Sequence, residues 1–191
     1  MLNQKLFSES FVLNLIILLI PVSFIAGNLV LNLNLFILLI YGLLVFRFDI
    51  FRQKLGYIDI TLIIFFIYVL INGFYNNFYN SDFNIEIEKN KILLKSFLYF
   101  RFLLIFFLIK YLVIKKILNY ELIFYSFGAC TLFVSLDLMY QFVFGKDVFG
   151  FEGSGRRLSG PFGDEYIAGA YIQRFFIFLP LSLIIFSKIE K

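Results

Sequence analysis

"ILLKSFLYFRFLLIFFLIKYLVI", residues 92–114, decides the fold. Its apolar residues are continuous rather than alternating, so it does not read as a strand with one wet face. A span needs about 20 such residues to cross a hydrocarbon core, and an open sheet edge has no partners in lipid, so the run is a transmembrane helix. Five further stretches qualify or nearly qualify: 11–27, 29–46, 58–73, 121–144 and 166–187. Across 191 residues the chain is 61% hydrophobic and 21% aromatic, with a mean hydropathy of +0.90, so lipid must solvate most of it. The expected fold is all-α: a polytopic transmembrane helical bundle of about six spans, forming a single membrane domain over residues 1–191. The first run follows Lys5 and has the outline of a signal peptide, but Phe24 and Ile25 spoil the small-residue cleavage pattern near Ala26. It is expected to stay as a helix interrupted at Pro21, and it is the only one of the six runs expected to be broken.

The cations set the orientation. One side collects Lys5, Arg47, Arg52, Lys54, Lys110, Lys115, Lys116, Lys188 and Lys191; the other collects Lys89, Lys91, Lys146, Arg156 and Arg157. That alternation puts both termini in the cytoplasm and the loop 145–165 outside. A second outer loop, "FYNNFYNSDFNIEIEKNK", reads as a solvated interfacial segment with an aromatic belt.

The net charge of +4 and pI near 9.1 do not indicate nucleic acid, because the basic residues sit at the ends of apolar runs and form no single face. Cys130 is alone, which excludes an intrachain disulfide and a cysteine metal cluster. The sequence contains no histidine and so lacks the commonest neutral-pH base and metal ligand. No metal site, no cofactor and no catalytic residue are expected within the chain.

Four charges fall inside the runs: Lys95, Arg101, Asp137 and Arg174. Each costs roughly 2.5–3.5 kcal/mol at a span centre and needs a reason. At 1.5 Å per residue, Arg101 and Arg174 lie about 14 Å below the outer face and Asp137 about 9 Å below it. Lys95 is near enough to the interface to snorkel. An ion pair between Asp137 and Arg101 or Arg174 would fix helix packing. One carboxylate does not neutralise three cations, and the surplus points to an anionic partner. Gln141 shares the face of Asp137, four residues on, and offers an amide to a hydroxyl-rich ligand.

The loop "GKDVFGFEGSGRRLSGPFG", residues 145–163, combines glycines for tight turns with Phe149, Phe151 and Phe162 to hold it at the membrane surface. Arginine grips phosphate oxygens in a planar, bidentate way, so Arg156 and Arg157 form a candidate phosphate clamp. The GxxxxGK[ST] nucleotide pattern is missing. Asp164 and Glu165 stand where they would cap the last span and compete with an anion for its amides. The alternative role for the two arginines is pairing with Asp147, Glu152, Asp164 or Glu165 to order the loop.

"LDLMYQFVFGKDVFG" followed by "RRLSGPFGDEYIAGAY", together with "KSFLYFRF" of the fourth run, resembles the O-antigen ligase and polymerase family of bacterial inner-membrane proteins. The resemblance is most specific from Asp137 to Tyr171. It implies a multi-pass cell-envelope enzyme that transfers glycan from an undecaprenyl-diphosphate carrier at the periplasmic face, to lipid A–core or to a growing polysaccharide, without metal or nucleotide. Carried over by position, Arg157, Arg156 and Arg101 would bind the diphosphate, and Asp137, Gln141 and Asp164 match polar positions; Arg174 has the chemistry without a clear counterpart. Members of that family are longer and supply a histidine proposed as base, so the chain is expected to be the N-terminal half of such a fold and inactive alone. Two other expectations compete with it: a small anion transporter or channel subunit, for which the same charges would line a path, and a nonfunctional remnant.

Overall fold

A computed structural model describes residues 2–79, 86–153 and 157–189. Among them every regular element is a helix, in the order α1 (Leu2–Leu18), α2 (Ile20–Ile25), α3 (Asn28–Phe46), α4 (Tyr57–Tyr79), α5 (Glu86–Ile114), α6 (Tyr120–Phe144), α7 (Ala168–Phe175) and α8 (Phe178–Ile189), with short 3-10 turns at Arg47–Phe51 and Gly160–Phe162. Four of the described helical stretches are long and apolar enough to cross a membrane: Asn28–Phe51, Tyr57–Phe78, Lys91–Ile114 and Tyr120–Phe144. A fifth crossing exists if α7 and α8, bent by 45° where they meet, act as one span. The chain is thus an all-helical protein with the dimensions of a membrane protein. Arg156 and residues 80–85 of the loop between α4 and α5 lie outside the described residues.

Two of the six expected runs are interrupted, each for a reason written in the sequence. The first stops at Leu18 and restarts at Ile20, with Pro21 in the opening turn of α2. Proline has no N–H to give and its ring crowds the carbonyl four residues earlier, so the ladder opens. Side chains of other helices reach the broken region: Asn34 Nδ2 donates to the opened Ile16 carbonyl at 3.2 Å and to Ser23 Oγ at 3.0 Å, and Tyr171 Oη donates to the Pro21 carbonyl at 3.3 Å. In lipid, such borrowed donors are what make a broken helix tolerable. The last run, expected to be continuous from 166 to 187, is the second interruption. Pro180 stands in the first turn of α8, where its ring would strike the carbonyl of Phe176, and the helix breaks at Phe176–Ile177. Asp164 and Glu165 do not cap this run: α7 begins at Ala168 after Ile167, with no side-chain cap.

The chain divides into two units. The first joins residues 1–38 to 117–191 and is organised around α6. Asn119 Oδ1 accepts from the Leu122 amide to cap α6, and Asn14 fastens the approach to it, accepting from the Asn119 amide at 2.8 Å and donating to the Ile117 carbonyl at 3.0 Å. α8 runs back along α6 at close range: a Cβ on Gly128 would lie 2.6 Å from Ser182 Oγ and 3.2 Å from the Phe178 carbonyl. Only a residue without a side chain allows that approach, the usual device where helices pack in lipid. Val134, Ala168 and Tyr171 form the buried centre, with Phe24, Phe162 and Phe175 around the tyrosine ring at 5.5, 5.4 and 4.7 Å between centroids. Edge and tilted contacts of this kind add about 0.5–1.5 kcal/mol each beyond the area they bury.

The second unit, residues 39–116, is an antiparallel pair of α4 and α5. Phe74 meets Phe97 and Phe66 meets Phe100, and Asp59 in the first turn of α4 reaches Lys110 near the end of α5. That ion pair is enclosed, with the two side chains 5% and 22% exposed, and Asp59 also accepts the Gly56 amide at 2.5 Å. A charge buried this far is held only because its partner and a backbone donor come with it.

Candidate functional site

The C-terminal end of α6 builds a buried, hydrogen-bonded polar region in the first unit. Asp137 and Gln141 lie one turn apart on α6 and are 2% and 1% exposed. Both point at the loop that follows. Asp137 Oδ1 accepts the Val148 amide at 2.9 Å. Gln141 Nε2 donates to the Phe151 carbonyl at 3.2 Å and to Ser159 Oγ at 3.3 Å, and its Oε1 accepts the Gly160 amide at 2.9 Å. The amide read from sequence as a contact for a ligand's hydroxyls is therefore committed to the loop.

The first part of the loop is a hairpin. α6 ends in a left-handed Gly145, Lys146 and Glu152 form an antiparallel bridge, and Asp147 to Gly150 make the turn, closed by the Gly150 amide on the Asp147 carbonyl at 3.1 Å. Asp147, 3% exposed, accepts the Phe151 amide at 2.5 Å through Oδ1, an aspartate ordering its own turn. The Lys146 ammonium lies 2.9 Å from Glu152 and holds that carboxyl below its ordinary value. Sequence reasoning had offered Asp147 and Glu152 to the arginines. The signal for their actual use was present in Asp147 and Gly150, which stand at the first and last positions of a four-residue turn.

The second part returns to α6 through Gly160. Its φ is +56° and a Cβ there would lie 3.2 Å from Leu138 Cδ2 and 3.6 Å from Asp137 Oδ2. Backbone thus passes directly over the buried carboxylate, which glycine alone permits. Asp137 Oδ2 accepts no hydrogen bond among the described residues. Between the two halves, Arg157 is exposed and takes part in no salt bridge among the described residues. Arg174 is also exposed, in the last turn of α7, where the helix dipole favours a cation; its guanidinium carbon lies 5.3 Å over the Phe24 ring. Arg174 makes no salt bridge to Asp137 among the described residues, so of the two pairings expected for that carboxylate the one with Arg174 is not formed.

Arg101 belongs to the other unit. It lines a cavity of about 390 Å³ with Lys95, Leu98, Tyr99 and Phe102, and its guanidinium carbon lies 4.9 Å over the Phe102 ring. Two cations six residues apart on α5 thus share one concavity with aromatic walls. Among the described residues there is no group of histidine, cysteine and carboxylate side chains able to hold a metal.

Comparison with protein-family models, curated proteins and solved structures gives no match. Function is therefore argued from the residues themselves. The chemistry on offer is electrostatic: an exposed arginine on a loop whose ends are fixed from beneath by buried hydrogen bonds, with no neutral-pH base beside it.

Proposed function

We propose that the chain is part of a lipid-linked glycan transferase of the O-antigen ligase and polymerase kind. It would accept glycan carried on undecaprenyl diphosphate at the periplasmic face of the bacterial inner membrane, with lipid A–core or a growing polysaccharide as acceptor. The observation that carries this reading is the pinned loop: Asp137 and Gln141 spend buried hydrogen bonds on holding Val148, Phe151 and Gly160, and the segment so held presents Arg157 to solvent. Such ordering lowers the cost of gripping a diphosphate, because the loop's entropy is already lost. In this reading Arg157, with Arg156 and Arg174, binds the diphosphate and stabilises its charge as it departs. Asp137 and Gln141 are positioning residues. Six spans with cytoplasmic termini belong to the same proposal. The base is not supplied by this sequence, which has no histidine.

Binding of farnesyl diphosphate, a short polyprenyl diphosphate, to the full chain in nanodiscs tests it. R157A is expected to weaken binding about ten- to a hundredfold, the usual value of a charge-assisted hydrogen bond, and R157K to fall between. Equal affinity of wild type and R157A would overturn the assignment.

One observation favours a second reading. The break at Phe176–Ile177 leaves α7 as a half-helix with Arg174 in its last turn, and discontinuous helices line the sites of many transporters. Anion flux in vesicles that is lost in R174A, with no diphosphate binding, would establish transport instead.

A further inference from the structure

The diphosphate reading makes no use of the cations at the far end of α5. There, the last turn of α5 and the connection from α3 to α4 enclose a cavity of about 560 Å³ lined by Asp49, Arg52, Gln53, Lys54, Tyr111 and Lys115, with Ile114 beside them. Its walls are fixed. Gln53 Nε2 donates to the Ile50 carbonyl at 2.6 Å and to the Phe107 carbonyl at 3.0 Å, tying the 3-10 turn to α5. Lys110 Nζ donates to the Lys54 carbonyl at 3.2 Å. Tyr111 is buried against Phe46, and Lys115 Nζ lies 5.7 Å over its ring.

The charge is unbalanced. Asp49 is answered by Arg52 at 3.4 Å, and no salt bridge among the described residues takes up Lys54 or Lys115. Two more cations, Arg47 and Lys116, adjoin the lining segments in sequence, with φ of +48° and +54°, left-handed positions following α3 and α5 that favour glycine. Around this basic concavity Phe48, Phe51 and Leu55 are exposed at 77%, 46% and 54%, an apolar collar at the end of two membrane-length helices. A cationic pocket with an apolar rim matches a molecule that has a phosphate at one end and acyl chains at the other.

We propose that this cavity binds the phosphate of an anionic glycerophospholipid, with Lys54 and Lys115 on the phosphate oxygens and Phe48 and Phe51 against the acyl chains. Free phosphate shares the headgroup chemistry but has nothing for the collar. The site does not depend on the glycan reading, and no residue is common to both.

The test uses the full chain in nanodiscs of phosphatidylcholine with a minor fraction of phosphatidylglycerol, with retained lipid counted by native mass spectrometry after release. K54Q/K115Q removes two cations from the cavity, and K91Q/K146Q removes the same charge elsewhere. All four side chains are exposed, so both variants keep the fold, which thermal unfolding verifies. Apparent affinity for phosphatidylglycerol is expected to fall about thirtyfold in K54Q/K115Q, from the usual contribution of two juxtamembrane cations, and to stay near wild type in K91Q/K146Q. Equal loss in both variants, or equal retention of phosphatidylcholine and phosphatidylglycerol by wild type, would overturn the proposal. Displacement of the retained lipid by millimolar inorganic phosphate would overturn its lipid character.

Discussion

Replacing Gln141 by Leu isolates the role of the buried amide beneath the loop 145–163. Leucine approximates the glutamine's volume and removes all three of its hydrogen bonds. The donations to the Phe151 carbonyl and Ser159 Oγ, at 3.2 and 3.3 Å, are long, and each contributes about 0.5 kcal/mol net. The Gly160 amide is the larger loss: it is buried, its 2.9 Å acceptor disappears, and an unsatisfied buried donor costs about 2 kcal/mol. Together the loop should be less stable by about 3 kcal/mol, which raises its open population by about 150-fold. Hydrogen exchange followed by mass spectrometry in nanodiscs reads this directly. Exchange across 145–163 should accelerate by about two orders of magnitude in Q141L, while α4 and α5 keep wild-type protection. Q141E retains an acceptor for Gly160 and should fall between. Wild-type protection of the Gly160 amide in Q141L would refute the claim that Gln141 fastens the loop.

Three other outcomes follow from the packing. D59N strands Lys110 in a largely buried site and should cost about 3–5 kcal/mol in unfolding, whereas the double variant D59L/K110M should recover most of it. G128V drives a side chain into Ser182 and the Phe178 carbonyl, a loss of about 2 kcal/mol that should lower the melting midpoint by roughly 4–8 °C. A thiol-reactive dye on Cys130, the only cysteine, reports that transition from within α6 itself. The Glu152 carboxyl should titrate below its ordinary 4.5 by carbon-13 NMR, and K146M should return it there. Because its folded value is depressed, the contribution of the Lys146–Glu152 contact is present above the ordinary value and is lost as pH falls through the lowered one.

Much of the helical framework was legible. The runs 29–46 and 121–144 became α3 and α6 nearly to the residue, and 58–73 and 92–114 became α4 and α5, each extended by six residues into the polar loop between them, because a continuous apolar stretch leaves a lipid-solvated backbone one choice. Pro21 announced the first break. Pro180 carried the same signal for the last run, but its effect falls four residues upstream, at Phe176, where nothing in the local sequence looks like a helix end. The site was legible in part. Spacing placed Asp137 and Gln141 on one face, yet spacing names a face and not a partner; their ligands are backbone groups of Val148, Phe151 and Gly160, reached only once the loop folds back. The expected cap at Asp164 and Glu165 failed for a related reason: the Glu165 amide turns back to the Phe162 carbonyl at 3.2 Å and the Ile167 amide to the Glu165 carbonyl at 2.9 Å, so tight turns occupy this stretch and the helix starts at Ala168.

The carbonyl exposed by the break in the first helix has a consequence for biogenesis. Ile16 receives its donor from Asn34, eighteen residues further along the chain, and Ser23 meets the same amide. A segment released singly from the translocon would carry that bare oxygen into hydrocarbon, at a cost of several kcal/mol. The first helical region should therefore wait beside the insertion channel and partition into the bilayer with α3 as a hairpin, and N34L should trap it there, as photocrosslinking of stalled nascent chains would reveal.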